Sequence, residues 1–147
     1  LGPGVNTPAG ESQASYFENE GGAPQLFFSR AASIYVSEMQ PDGTWGEAVG
    51  VDELANLGGP SIHPNGLEIY VFDTFANHRI WYATRETPDA AWSEPIELTE
   101  FTPGEASVFQ PFIHTHGRTE ALFMSGFTAA GGQEIYVSTR TRGAATP

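Results

Sequence analysis

His114 and His116 stand two residues apart in IHTHG, a spacing that puts two imidazoles on one side of an extended strand, where they could share a metal ion. A closed site needs further donors. The chain has no cysteine, which removes thiolate nucleophiles, disulfides, iron–sulfur clusters and cysteine zinc sites together, and no third ligand lies near the pair. Serine, histidine and aspartate are all present, yet no serine sits in a G-x-S-x-G elbow, and Ser125 in MSGF lacks the flanking pattern. No D-x-D-x-D-G loop offers a calcium site. Glycoside hydrolysis needs two carboxyl groups about 5–5.5 Å or about 6.5–9.5 Å apart. Eighteen acidic residues supply candidates without selecting a pair. No catalytic residue, metal ligand or cofactor follows from these motifs.

Asp42 opens DGTW, but the aspartate-box motif places one residue between aspartate and glycine and another before threonine, so the spacing fails. The formal charge of −12, with six arginines and no lysine, argues against nucleic acid and anionic membrane as partners, since both require a basic face. At 147 residues, 39% hydrophobic and 12% aromatic, the chain suits one domain with a substantial core. No apolar run approaches the roughly 20 residues of a membrane-spanning helix.

The elements that must position any site are short. Apolar residues come in brief runs separated by turn residues, with 17 glycines and 11 prolines and no sustained helical periodicity. VDELANL at 51–57 predicts at most a single helical turn, and the domain reads as all-β. SIYVSEM from Ser33, RIWYATR from Arg79 and EIYVSTR from Glu134 are alternating strands of one design. Each follows a shorter apolar strand, QLFFS, EIYVFD or ALFMS, and a glycine turn, NEGG, HPNG or HTHG. TWGEAV and AWSEPIEL follow the first two as outer strands. Ile34, Ile80 and Ile135 mark spacings of 46 and 55 residues, the longer one explained by the connection TPGEASVFQPF, which echoes TPAGESQASYF. Four short strands in about 40–50 residues form one blade of a β-propeller.

PSIHPNGLEIYVFDT, RIWYATRETPDAAWSEPIEL and EIYVSTR resemble the WD-like β-propeller repeat family, of the kind found in the periplasmic Tol-system propeller and in bacterial secreted or envelope proteins. The resemblance covers nearly the whole chain and implies a periplasmic or extracellular setting. It departs at the turn between the first two strands of a blade, where Asn65 and His116 replace the family's aspartate and the first repeat has none. Asparagine keeps the local turn bonding. The expected blades are about 8–52, 58–99 and 103–147, the last without its outer strand. Three blades leave apolar end faces, so the expectation is a homodimer closing a six-bladed ring, or a fragment of a longer propeller.

In such a ring the loops between second and third strands share one rim with the loops between blades. That rim would gather Arg79, His78, Phe75 and Asp73 with Glu134, and with Glu11, Gln13, Glu105 and Gln110 at the channel mouth. Arg79 beside Phe75 is the pairing best suited to a planar, sugar-like or carboxylate ligand. Trp45, Trp81 and Trp92 occupy repeated positions and read as packing between blades. The function expected is non-catalytic recognition of a protein or glycan on the rim. The alternatives are a glycan-active hydrolase or lyase using carboxylates at the channel mouth, and a structural self-assembling propeller fragment.

Overall fold

The computed structural model describes residues 1–75, 78–101, 107–128 and 130–142. They form an all-β arc of three antiparallel sheets in chain order. The first sheet holds β1 (Glu11–Phe17), β2 (Gln25–Arg30), β3 (Ser33–Glu38) and β4 (Val49–Gly50). The second holds β5 (Leu57–Ile62), β6 (Glu68–Asp73), β7 (Ile80–Thr84) and β8 (Ile96–Glu97), and the third β9 (Val108–His116), β10 (Thr119–Phe127) and β11 (Gln133–Thr141). Strands β1, β5 and β9 lie beside one another at the inner edge of the arc, so each sheet is a propeller blade stacked on the next.

Alternation explains the stacking. Successive side chains of a strand point to opposite faces, so each blade shows one apolar set to the blade before it and another to the blade after. Phe27 and Ile34 of the first blade meet Ile69, Val71, Ala83 and Trp92 of the second. Tyr70, Phe72 and Ile80 on the far side of the second blade meet Ile113, Leu122 and Met124 of the third. A third apolar layer, Val5, Leu26 and Phe28 with Tyr35 and Trp45, covers the near face of the first blade. All three tryptophans therefore pack in or against layers between or beside blades. The single turn expected at 51–57 is a 3-10 turn, Asp52–Leu54, whose Leu54 is buried in the first layer.

Two local expectations are corrected. The outer strands β4 and β8 are two residues each, far shorter than TWGEAV and AWSEPIEL. Side chains supplement the backbone bonds there: Ser37 Oγ donates to the Gly46 carbonyl at 2.7 Å, and the Thr84 N–H donates to Ser93 Oγ at 3.1 Å, beside the bonds from the Gly46 N–H to the Glu38 carbonyl at 2.9 Å and from the Ser93 N–H to the Thr84 carbonyl at 2.7 Å. Pro95 has no N–H to offer. His114 and His116 are not turn residues, because β9 runs on to His116 and the turn falls at Gly117 and Arg118. Both imidazoles are exposed, and among the described residues no group of three or more His, Cys, Asp or Glu is placed to hold a metal.

The turn after β5 behaves as asparagine chemistry requires. Asn65 Oδ1 accepts from the Leu67 N–H at 2.8 Å, while the Asn65 N–H donates to His63 Nδ1 at 3.0 Å. With Nδ1 accepting, His63 Nε2 is the donor towards buried Glu120 of the third blade, 2.9 Å away.

Candidate functional site

The three inner strands share a defect. Each carries a β-bulge, between Ser12 and Ser15, between Gly58 and Ser61, and opposite Phe123 and Ser125 in β9. Each places one residue in the left-handed region at the equivalent position: Gln13 at φ 54°, Gly59 at φ 57° and Gln110 at φ 52°. Gly59 is required there, since a Cβ would lie 2.4 Å from the Phe72 ring. The two glutamines hold a conformation that costs an L-residue roughly 1–2 kcal/mol. Bulges re-aim side chains, and here the consequence is a concavity of about 470 Å³ whose walls include Gln13, Ser15, Tyr16, Pro60, Gln110 and Phe112. Pro60 and Pro111 are tolerated because the inner strand is a sheet edge facing the axis.

Neighbouring inner strands are fastened across this surface. The Ile62 N–H donates to Ser15 Oγ at 3.1 Å, and the Ile113 N–H donates to Ser61 Oγ at 2.9 Å, two copies of one contact. Ser29 Oγ accepts from the Gly59 N–H at 2.8 Å and donates to Gln13 Oε1 at 3.3 Å, so the Gln13 carboxamide is oriented by the second strand of its own blade. Among the described residues no carboxylate lines the concavity. Its chemistry is two carboxamides, serine hydroxyls, prolines, a tyrosine and a phenylalanine, and the hydroxyl of Tyr16 donates to Glu18 at 2.8 Å. The hydrogen bond to Glu18 raises the Tyr16 phenol above its ordinary value. Such a surface can orient a neutral, hydroxyl-bearing molecule.

The other rim residues take different places. Gln110 is in this concavity. The Glu11 carboxylate accepts from Thr7 Oγ1 at 2.6 Å and Arg30 Nε at 2.9 Å, and these contacts hold it below the usual carboxylate range. It anchors the first blade. Asp73 and Phe75 line a separate groove of about 420 Å³ with Trp81, Glu53 and Glu94, on the side between the first and second blades. Asp73 Oδ2 accepts from the Arg79 N–H at 2.9 Å, which shapes the hairpin from β6 to β7. His78, at φ 51°, has its ring against Phe72 and Phe109 and its carbonyl on the Val108 N–H, forming part of the second joint. Glu134 is exposed on β11, and Glu105 lies outside the described residues. The guanidinium–aromatic contacts that form among the described residues are Arg30 over Tyr35 at 4.6 Å and Phe28 at 5.3 Å, and Arg85 over Trp92 at 4.4 Å and Phe27 at 5.6 Å, all in packing layers.

Arg30, Arg85 and Arg140 end strands at equivalent or nearly equivalent positions, where the sequence suggests pairing with the excess acid, and Arg85 and Arg140 both fasten one blade to the next. Arg85 at the end of the second blade's β7 donates to Gln25 of the first blade at 2.8 Å. Arg140, its counterpart on β11, donates to Glu68 of the second blade at 2.6 Å. Around Arg140 the second joint gathers Glu120, Arg142 and His63 into one cluster. Burial raises the Glu68 carboxyl, but hydrogen bonds from Arg142, Arg140 and Asn65 outweigh it and hold the group down to about 2.

Three stacked antiparallel blades around an inner edge of bulged strands define a β-propeller-type domain. No known protein-family profile matches the chain, and no curated protein matches it either. Among solved structures it is similar to the crystal structure of a thermostable family-43 glycoside hydrolase, with a TM-score of 0.63 and 16% sequence identity. The likeness covers 99% of this chain and 62% of that one, so the chain spans about 62% of the length of the structure it matches. The match supports the β-propeller fold and not the narrower WD-like repeat family.

Proposed function

We propose that the domain is a non-catalytic recognition module that binds a neutral glycan in the concavity formed by its inner strands. The observation that carries this reading is the pair of strained glutamines, Gln13 and Gln110, presented on equivalent bulges of one surface. Carboxamides that both donate and accept suit sugar hydroxyls, while Tyr16, Phe112 and the prolines supply flat apolar contact for a ring face. The volume of about 470 Å³ is in the range of small-ligand sites. The hydrolase reading draws on the glycoside hydrolase named in the structural match. Among the described residues no carboxylate pair stands on this surface to support it. The WD-like resemblance and a periplasmic or extracellular setting belong to the same proposal.

The test is calorimetric titration with a panel of neutral oligosaccharides. Gln13→Ala and Gln110→Ala are each expected to weaken binding about tenfold, the worth of roughly one lost hydrogen bond. Gln13→Gly separates this from folding: relief of the left-handed strain, about 1 kcal/mol, is offset by glycine's greater freedom when unfolded, so the denaturation midpoint should barely move while binding falls. Release of reducing ends from any of these sugars, abolished by changing one carboxylate, would instead establish the hydrolase. Binding that ignores both glutamines would remove the site.

A further inference from the structure

The first two blades treat one aromatic position differently. The strand registers set Phe28 opposite Tyr35 in the first blade and Val71 opposite Trp81 in the second, so Tyr35 and Trp81 are equivalent. Arg30 and Asp73, each two residues further along, are equivalent as well. In the first blade the Arg30 guanidinium lies 4.6 Å over the Tyr35 ring and pairs with Glu11 at 2.9 Å. In the second blade an acid stands at the arginine's position, and among the described residues no guanidinium lies over Trp81. Trp81 instead walls the groove of about 420 Å³ at the first joint, together with Phe75, which is 73% exposed, and the carboxylates of Glu53 and Glu94. The second blade thus keeps the ring and the acids of a guanidinium site without the cation.

We propose that this groove receives an arginine side chain of a basic partner polypeptide, its guanidinium stacked on Trp81 beside Phe75 and hydrogen-bonded to Glu53 and Glu94. Charge complementarity chooses that occupant. The chain's own cations are engaged elsewhere: the ion pairs among the described residues run from Arg30 to Glu11, and from His63, Arg140 and Arg142 to Glu68 and Glu120. Arg85 is buried over Trp92, Arg118 donates to the Arg142 carbonyl, and Arg79 is not among the lining residues. Segments 50–57 and 88–95, which flank the groove, carry Asp52, Glu53, Asp89 and Glu94 and no basic residue.

The acidic surface also continues beyond one cage. A second groove of about 400 Å³ shares Glu53 and adds Glu38, Asp52 and Asp89, a track that fits an extended basic segment better than a small cation. Arginine suits it better than lysine, because a planar guanidinium both stacks on a ring and offers carboxylates two parallel N–H groups. The groove lies between the first two blades and beneath their connection, so neither end of the chain shapes it, and none of its residues lines the concavity of the inner strands.

The proposal is tested by fluorescence-anisotropy titration of the 147-residue chain into labelled hexa-arginine and hexalysine peptides. Hexa-arginine is expected to bind at least about fivefold more tightly than hexalysine. Phe75→Ala, at a position too exposed to disturb the fold, should weaken it about fivefold. Glu53→Gln combined with Glu94→Gln should weaken it at least about tenfold. Glu20→Gln combined with Glu100→Gln removes the same charge at exposed positions elsewhere and should weaken it less than about twofold. Oligosaccharide binding in the concavity should ignore all of these substitutions. Equal losses from the two double substitutions would mean that the peptide follows net charge alone, and equal affinity for the two peptides would mean that the rings are not used. Either result overturns the proposal, as does hexa-arginine that fails to bind.

Discussion

Replacing Gly66 with alanine is expected to lower stability by about 2–4 kcal/mol, combining a left-handed backbone with a steric clash. Gly66 has φ 71°, and a Cβ built there would lie 2.2 Å from Cζ of Phe17 in the neighbouring blade. Neither side can retreat cheaply. The Gly66 N–H donates to the His63 carbonyl at 2.8 Å, and its carbonyl accepts from buried Arg85 at 2.7 Å, while Phe17 is part of the layer between the first and second blades. In a domain of this size the loss corresponds to a fall in melting temperature of very roughly 10 °C. The cause can be isolated with a double-mutant cycle. In a Phe17→Ala background the same glycine substitution should cost clearly less. An equal cost in both backgrounds would show that the ring is not the obstacle.

The second large effect is expected at Glu120. Its buried carboxylate meets Arg140, Arg142 and His63 and is held below its ordinary value, since hydrogen bonds from these partners outweigh burial, which raises it. Glu120→Gln should destabilise the chain by about 2–3 kcal/mol at neutral pH, a range kept low because both arginines are about half exposed and screened. The same joint predicts an acid response. Glu68 titrates at about 2 when folded against an ordinary 4.5, so between those values the unfolded chain binds more protons than the folded one. The stability contributed by Glu68 is complete above about 4.5 and is lost as pH falls towards about 2. Chemical denaturation across that window should show the wild-type and Glu120→Gln curves converging as pH falls. A gap that stays constant would mean the cluster is not what the carboxylates stabilise.

Much of the architecture was legible because a blade writes itself locally. Alternating apolar residues in EIYVFD and RIWYATR, and the recurrence of Ile34, Ile80 and Ile135, report strands whose neighbours are close in sequence. The outer strands misled, since Trp45 and Trp92 look like strand residues, but Trp45 makes only an isolated bridge and the regular ladders shrink to two residues each. The concavity was only half visible. Gln13 and Gln110 were placed at the channel mouth, but the bulge that aims them left one faint trace, a glycine, Gly59, at the same point of the middle repeat. The ionic joint was hidden because Arg140 and Glu68 are 72 residues apart and belong to different blades. The recurrence of Arg85 and Arg140 at strand ends suggests pairing with the excess acid, but not that Glu68 is the partner.

The serine contacts between inner strands have a consequence for how the arc opens. The amides of Ile62 and Ile113 are held by a hydroxyl of the preceding blade and not by their own sheet. Fraying of a hairpin does not release them, whereas parting of two blades does. Each joint therefore has its own gauge, Ile62 for the first and Ile113 for the second. Their hydrogen-exchange rates distinguish an arc that unstacks blade by blade from one that melts as a single body.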